Sequence, residues 1–190
     1  SGLPEVGLML PLCEQLGMSR SPVRTALTRL ANEGDLVEYT PKAGMRVSAL
    51  TRKDVRELYD LRSLLDAAAL GRFMERTNDR EIEALCRLFD KMTECSEKGD
   101  IEGQVKYDVL FHRYYTARCG NDRLHELFGH VFSPLRRFRW EIIKFGKEKT
   151  ETIMGLHRKL IAAIRARDAE AACRYETESN GLMYRWHMEW

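Results

Sequence analysis

From about Thr51 onward, apolar residues recur every three or four positions, with no repeat, low-complexity tract or strand-like alternation between them. A period near 3.6 buries one stripe of each helix, so a chain that keeps it this long closes into a helical bundle. Leu58, Leu61, Leu65 and Ala68 mark a first helix from about Thr51 to Arg76. Ile82, Leu85, Leu88, Met92 and Cys95 mark a second, ending near Lys98-Gly99, and a third runs from about Ile101 to Ala117. A fourth starts at Asp122 and carries Leu124, Leu127, Val131, Leu135, Phe138 and Ile142, with Pro134 expected to bend or split it. Two more span about Glu148 to Ala166 and Asp168 to Trp186.

Residues 1–50 change character every few positions, as a small mixed domain does. Leu10 to Leu16 is helical in pattern, and Gly17 suits the turn that ends it. In Ser19-Arg20-Ser21-Pro22, Ser21 can cap a second helix and Pro22 can take its first position. Val23, Leu27 and Leu30 form its buried face, leaving Arg20, Arg24, Thr25 and Thr28 largely on the other side. After Asn32-Glu33-Gly34-Asp35, the segments Leu36 to Tyr39 and Met45 to Val47 are strand candidates joined by Thr40-Pro41-Lys42-Ala43-Gly44. Helix, sharp turn, helix and hairpin is the order of a winged helix-turn-helix. The expected fold is therefore mainly α: a winged helix-turn-helix over 1–50 and an all-helical bundle over 51–190.

Bulk charge says little about partners, because the net value is only +2. Local charge says more. From Met18 to Ala31 there are three arginines, Arg20, Arg24 and Arg29, and no acid, although residues 1–50 balance five basic against five acidic side chains. In a helix-turn-helix the second helix enters the major groove by its N-terminal residues, here Arg20, Ser21, Pro22, Val23, Arg24 and Thr25. Either arginine can read guanine or hold a phosphate, and Lys42 with Arg46 on the hairpin can reach the backbone or the minor groove. No stretch approaches the roughly 20 apolar residues of a membrane span. The five cysteines are scattered and lack a CxxC pair, which fits reduced thiols in a cytoplasmic protein.

The run from Glu14 to Leu27, followed by Leu30, Glu33-Gly34 and a hairpin with Gly44, resembles the DNA-binding domain of the GntR family of bacterial regulators. The resemblance implies an operator-binding homodimer with Arg20, Arg24 and Gly44 at the DNA surface. It also implies a further helix ahead of the short one. Only Ser1 to Met9 stand there, so that helix is expected to be missing.

The third bundle helix carries the most informative side chains. Val105, Asp108, His112 and Tyr115 share one face, placing polar groups on a stripe that a simple core would keep apolar. In the fifth helix, Ile153, His157, Leu160 and Ile164 trace the inward stripe around a second histidine. Asp108, His112 and His157 together suit zinc, manganese, nickel or iron, with positions left for water or a carboxylate. A pair of hydrogen-bonded core histidines is the other reading of the same residues.

The bundle resembles the FadR-type ligand-binding domain called FCD, through Leu58 to Arg62, Asp108 with Phe111-His112, Ala117 to Asn121, and His157 followed by Ala163 to Ala172. The resemblance implies a cavity that holds a metal on one aspartate and three histidines and binds a small organic acid. Asp108, His112 and His157 match three ligands; the fourth falls on Ser179, on an expected inward stripe of Ala172, Tyr175, Ser179, Leu182 and Trp186. Arg62 matches an inward family arginine suited to a carboxylate clamp. Of the cluster Arg136-Arg137-Arg139, Arg136 is expected to reach the pocket, and Tyr107 and Tyr115 can donate hydroxyls or simply pack. Phe73, Phe89 and Trp140 are candidate interface residues.

The functional expectation is a ligand-responsive regulator, a repressor in sign, with no reaction catalysed. HExxH, nucleophile-elbow and phosphate-loop motifs are all lacking. A helical adaptor with a relict winged helix, or a metal-dependent hydrolase at Asp108, His112 and His157, are the alternatives.

Overall fold

A computed structural model describes residues 8–34, 37–40, 44–47 and 50–189, without the side chains of Glu33, Thr40, Arg137 and Phe145. The chain divides into two compact units, Ser1–Thr51 and Arg52–Trp190. The expected Leu36 strand residue and Lys42 lie outside the described residues.

In the first unit, α1 (Met9–Leu16) and α2 (Arg20–Gly34) precede a hairpin of β1 (Val37–Thr40) and β2 (Gly44–Val47). The strands pair antiparallel in the register Val37 with Val47 through Thr40 with Gly44. Gly44 sits at φ +77°, a conformation that a side chain disfavours, which suits it to the turn side of β2. The core is small. Val23, Leu27 and Val37 are buried, with Leu12, Ala31 and Met45 packed around them. Helix α2 begins at Arg20, ahead of the expected Ser21 cap; the Ser21 carbonyl instead accepts from the Thr25 hydroxyl at 3.1 Å. Leu30, expected inside, is exposed, whereas its neighbour Ala31 packs on the core.

The second unit is a six-helix bundle: α3 (Arg52–Arg76), α4 (Asp79–Lys98), α5 (Ile101–Thr116), α6 (Asp122–Phe145), α7 (Lys147–Arg165) and α8 (Ala169–Met188). Local chemistry sets several starts. Asn78 and Glu81 form a reciprocal capping box, and Asp100, Asn121 and Asp168 each accept a backbone N–H from the first turn of α5, α6 and α8. Helix α6 runs through Pro134 without splitting. Phe128, Phe132, Leu135 and Phe138 bury its inner face, and that packing outweighs the one hydrogen bond a proline removes. Leu127, counted among its apolar markers, is exposed.

Helix α3 departs most from its apolar pattern. Its buried face is Val55, Tyr59, Arg62, Asp66, Ala69, Leu70 and Phe73, whereas Leu61 and Leu64 are 46% and 69% exposed. Phe73 and Phe89, offered above as interface candidates, are core residues beside Phe111 and Tyr115; Trp140 is exposed. On α8 the buried stripe is Ala172, Glu176, Ser179, Asn180 and Met183, one position off the expected line through Tyr175, Leu182 and Trp186.

With so few buried side chains in the first unit, Leu27→Ala removes a large share of its core and costs about 2 to 5 kcal/mol. Limited proteolysis should then cut within residues 1–51 of the variant while the bundle stays protected.

Candidate functional site

Five bundle helices deliver charged or polar side chains to one interior region. Asp66 on α3, 1% exposed, accepts from Arg62 Nε at 3.1 Å, from Asn180 Nδ2 at 2.9 Å and from the Tyr115 hydroxyl. Because Tyr115 donates to Asp66, its oxygen is left to accept from His112 Nδ1 at 3.0 Å. The proton of His112 therefore sits on Nδ1, and the lone pair on Nε2. His157 is set the same way by its own backbone, since a carbonyl can only accept: Nδ1 donates to the Ile153 oxygen at 3.0 Å.

Both free lone pairs point at one atom. His112 Nε2 and His157 Nε2 each lie 3.7 Å from Asp108 Oδ1, and neither nitrogen has a hydrogen-bond partner. Phe111 stands edge-on to both rings, with centroids 5.4 Å away, and Phe132 lies 5.6 Å from His112. Three buried acceptors converging within an apolar wall are a group that could hold a cation. Two nitrogens and one carboxylate oxygen fit a first-row divalent metal, and the outer bonds to Tyr115 and Ile153 are the kind that orient such ligands. Asp66, His112 and Glu176 form a second possible cluster, but Asp66 already accepts from three donors.

The site already contains one cation. Arg139 on α6, itself buried, donates through Nη2 to Asp108 Oδ1. Burial alone would raise the Asp108 carboxyl, but Arg139 and the two histidines override it and hold the group well below the usual carboxylate range. Burial, with Arg139 nearby, pushes His157 down to about 3. Glu176 is pushed up to about 7, chiefly by burial, and Tyr59 to about 12 for the same reason. Arg62 is committed elsewhere: it pairs with Asp66, lies 3.8 Å from Glu176 and stacks over Phe132. The cavity beside Asp108, lined also by Gln104, Arg139 and Thr150, holds about 10 Å³, room for roughly one water.

In the first unit, Arg20, Ser21, Pro22, Arg24 and Thr25 lie on the exposed side of α2, where Arg24, Thr25, Thr28, Arg29 and Asn32 line an open groove. Val23 does not join them. It is buried against Leu27 and Val37, so the expected base-facing role is corrected to a packing one. Arg46 is half-buried in β2, opposite Glu38.

Residues 57–178 match the model of the FCD domain. The chain is 30% identical over 167 residues to the HTH-type transcriptional regulator McbR of Escherichia coli, spanning 86% of this chain and 74% of that protein. The chain belongs to the GntR family of transcription regulators and carries an FCD domain. It is also 31% identical over 163 residues to the Nta operon transcriptional regulator of Aminobacter aminovorans, covering 85% and 75% of the two chains. The Bacillus subtilis gluconate operon transcriptional repressor is 27% identical over 175 residues, or 88% and 71%. Solved structures share the fold: E. coli McbR/YncC superposes with a TM-score of 0.81 at 22% identity, covering 95% and 87%, and a GntR regulator from Rhodococcus sp. RHA1 with 0.78 at 22%, covering 97% and 88%. These are transcription regulators, not enzymes, and the GntR chain described here is likewise a DNA-binding regulator. No helix among its described residues is long and apolar enough to cross a membrane.

Within this GntR regulator, Asp108, His112 and His157, the three expected ligands, come together, and Ser179 is buried on the neighbouring helix. Two of the expected effector residues lie away from the buried polar groups. Arg136 is exposed and lines an outer groove with Val105, Lys106 and Leu110, and Tyr107 is a half-buried residue packed on the apolar core. Arg139 takes the inward place: the buried face of α6 passes through Leu135, Phe138, Arg139 and Ile142 and leaves Arg136 outside. Tyr59, Asp66, Glu176 and Asn180 were not identified from sequence. The one available signal was spacing, since Arg62 and Asp66 are four apart, as are Glu176 and Asn180.

The shifted groups set a pH dependence. Below its ordinary 6.5 an unfolded histidine takes a proton that buried His157 refuses down to about 3, so stability falls as pH falls. Glu176 works oppositely: between its ordinary 4.5 and about 7 the folded state holds the extra proton, so stability falls as pH rises. The two contributions offset each other between 4.5 and 6.5. Below 4.5 His157 acts without that compensation, at about 1.4 kcal/mol per pH unit, joined by Asp108 and Asp66 below their ordinary value. Urea unfolding of metal-free protein across pH 3 to 8 should give a plateau from pH 4.5 to 6.5 and a decline below it that is shallower in His157→Gln.

Proposed function

We propose that this regulator is a homodimeric repressor whose bundle binds a divalent metal on Asp108, His112 and His157 and a small organic acid beside it, altering operator affinity. The observation that carries this is the convergence of two lone pairs, each fixed by its tautomer, on one buried carboxylate oxygen. When bound, the metal supplies a Lewis-acidic centre that can hold a carboxylate or hydroxyl. The chain's own groups select the ligand. Arg139, in place of Arg136, meets its negative charge, and Thr150 in the adjoining cavity, Tyr59 and Ser179 are buried hydroxyls. Arg62 serves chiefly to hold Asp66. The gluconate operon repressors among the relatives support a polar acid as effector and repression as the sign.

Zinc, manganese, nickel and iron all suit this donor set. Elemental analysis of protein purified without chelator or metal column should find roughly one ion per chain, lost in Asp108→Asn. Tyr115→Phe leaves His112 Nδ1 without its acceptor and should weaken zinc binding about 10- to 100-fold. No metal in the wild type, even after soaking, would sink the metal centre.

DNA recognition falls to the exposed start of α2, through Arg20, Ser21, Pro22, Arg24 and Thr25, with Gly44 and Arg46 on β2 and, from the sequence alone, Lys42. Arg24→Ala should cost about 1 to 3 kcal/mol of operator affinity if it reads a base, or flatten the salt dependence if it holds a phosphate. Fluorescence anisotropy with labelled operator at several salt concentrations separates the two, and an unchanged affinity and slope would remove Arg24 from the interface.

A further inference from the structure

We propose that Arg139 and a divalent cation exchange on Asp108 Oδ1, so that a cation arriving at Asp108, His112 and His157 releases the Arg139 guanidinium to receive the carboxylate of the effector. This rests on the metal centre proposed above and adds what that centre does to its neighbour. The oxygen to which Arg139 Nη2 donates is the same oxygen that lies 3.7 Å from each histidine Nε2. A metal held by those three residues would therefore bond the atom that the guanidinium already occupies. Two cations on one buried oxygen repel strongly at that depth.

Around Arg139, Asp108 is the acid in direct contact; α3 brings Tyr59 and Arg62 near the same centre, and α7 brings His157. Once off Asp108, the guanidinium finds neutral Gln104 and Thr150 in the adjoining cavity and no second carboxylate among its lining residues. A buried guanidinium without an anion is costly. Metal binding alone is thus opposed by the loss of the Arg139 pair, and an organic anion relieves that opposition. By linkage the acid then tightens the metal as much as the metal tightens the acid. The small cavity fits the same scheme, since an acid reaches Arg139 only after the side chain has moved.

Zinc titration of the chelator-treated full chain by calorimetry, for wild type, Arg139→Gln, Arg139→Met and Asp108→Asn, tests the exchange. Removing the competing cation should tighten zinc binding about tenfold or more in both Arg139 variants, while Asp108→Asn binds none. Zinc affinity equal to or weaker than wild type in folded Arg139 variants, with wild-type binding still dependent on Asp108, overturns the exchange and leaves the metal centre standing. Zinc bound by neither wild type nor the Arg139 variants overturns both. Should the variants fail to fold, a crystal structure of zinc-loaded wild type decides: Arg139 Nη2 beyond hydrogen-bond reach of Asp108 Oδ1 supports the exchange, and an intact pair overturns it.

Discussion

Asp66 is the residue on which the interior of the bundle depends. An unpaired carboxylate at that depth would cost several kcal/mol, and three donors from three helices remove the penalty: Arg62 on α3 itself, Tyr115 on α5 and Asn180 on α8. Each donor has a second consequence. Tyr115, by donating its hydroxyl hydrogen bond to Asp66, fixes the tautomer of His112; Arg62, drawn to Asp66, crosses the face of Phe132 and comes within 3.8 Å of Glu176. The placement of the His112 lone pair on Nε2, on the side of Asp108, is thus determined two hydrogen bonds away, on a different helix. His157 needs no such relay, because its own helix supplies the carbonyl that orients it.

This polar interior explains which parts of the molecule could be read from the residues alone. The six helices were legible because their apolar period is long, and four of them, α4, α5, α6 and α8, also start on Asx caps. Asp108, His112 and His157 were legible because each interrupts an otherwise apolar stripe. On α3 the same logic misleads. Tyr59, Arg62 and Asp66 face inward to one another, while Leu61 and Leu64 lie on the outer side, so hydrophobicity marks the wrong face wherever the interior is itself charged. Arg139 was missed for a related reason. Three arginines within four residues are equivalent in composition, and the signal that distinguishes 139 from 136 is the stripe of Leu135, Phe138 and Ile142, whose buried face takes in 139 and leaves 136 outside. Val23 had two readings: its apolar spacing with Leu27 marked the buried face, which the structure shows, while its place near the start of α2 suggested DNA, a role that a domain with so small a core leaves to its neighbours.

Ser179 shows how a departure from a family pattern can be weighed physically. A hydroxyl is a poor ligand beside imidazole and carboxylate, so its presence lowers the coordination the protein can supply. The geometry around it raises the remaining capacity, since both histidines are already in the ligating tautomer and neither Nε2 is spent on another hydrogen bond. In the proposed metal centre, three protein ligands would leave more positions for a chelating acid than four would. Ser179 is buried beside Asn180 on the helix that also carries Glu176, and so belongs to the same polar interior rather than to the apolar core.

The energetic scale of these contacts bears on regulation. A ligand changes DNA affinity only as far as it prefers one conformation of the protein over another, and a hundredfold change requires about 2.8 kcal/mol of preference. Packing changes among aliphatic side chains reach that value only by opening cavities, which a bundle resists. Breaking a buried ion pair is worth about 3 to 5 kcal/mol, so rearranging Arg139 against Asp108 lies in the required range. Because Arg139 stands on α6 and Asp108 on α5, exchanging their contact for a metal and an acid alters the force between two helices rather than the conformation of one side chain. A charged interior, costly to assemble, supplies a contact strong enough for a small ligand to act on.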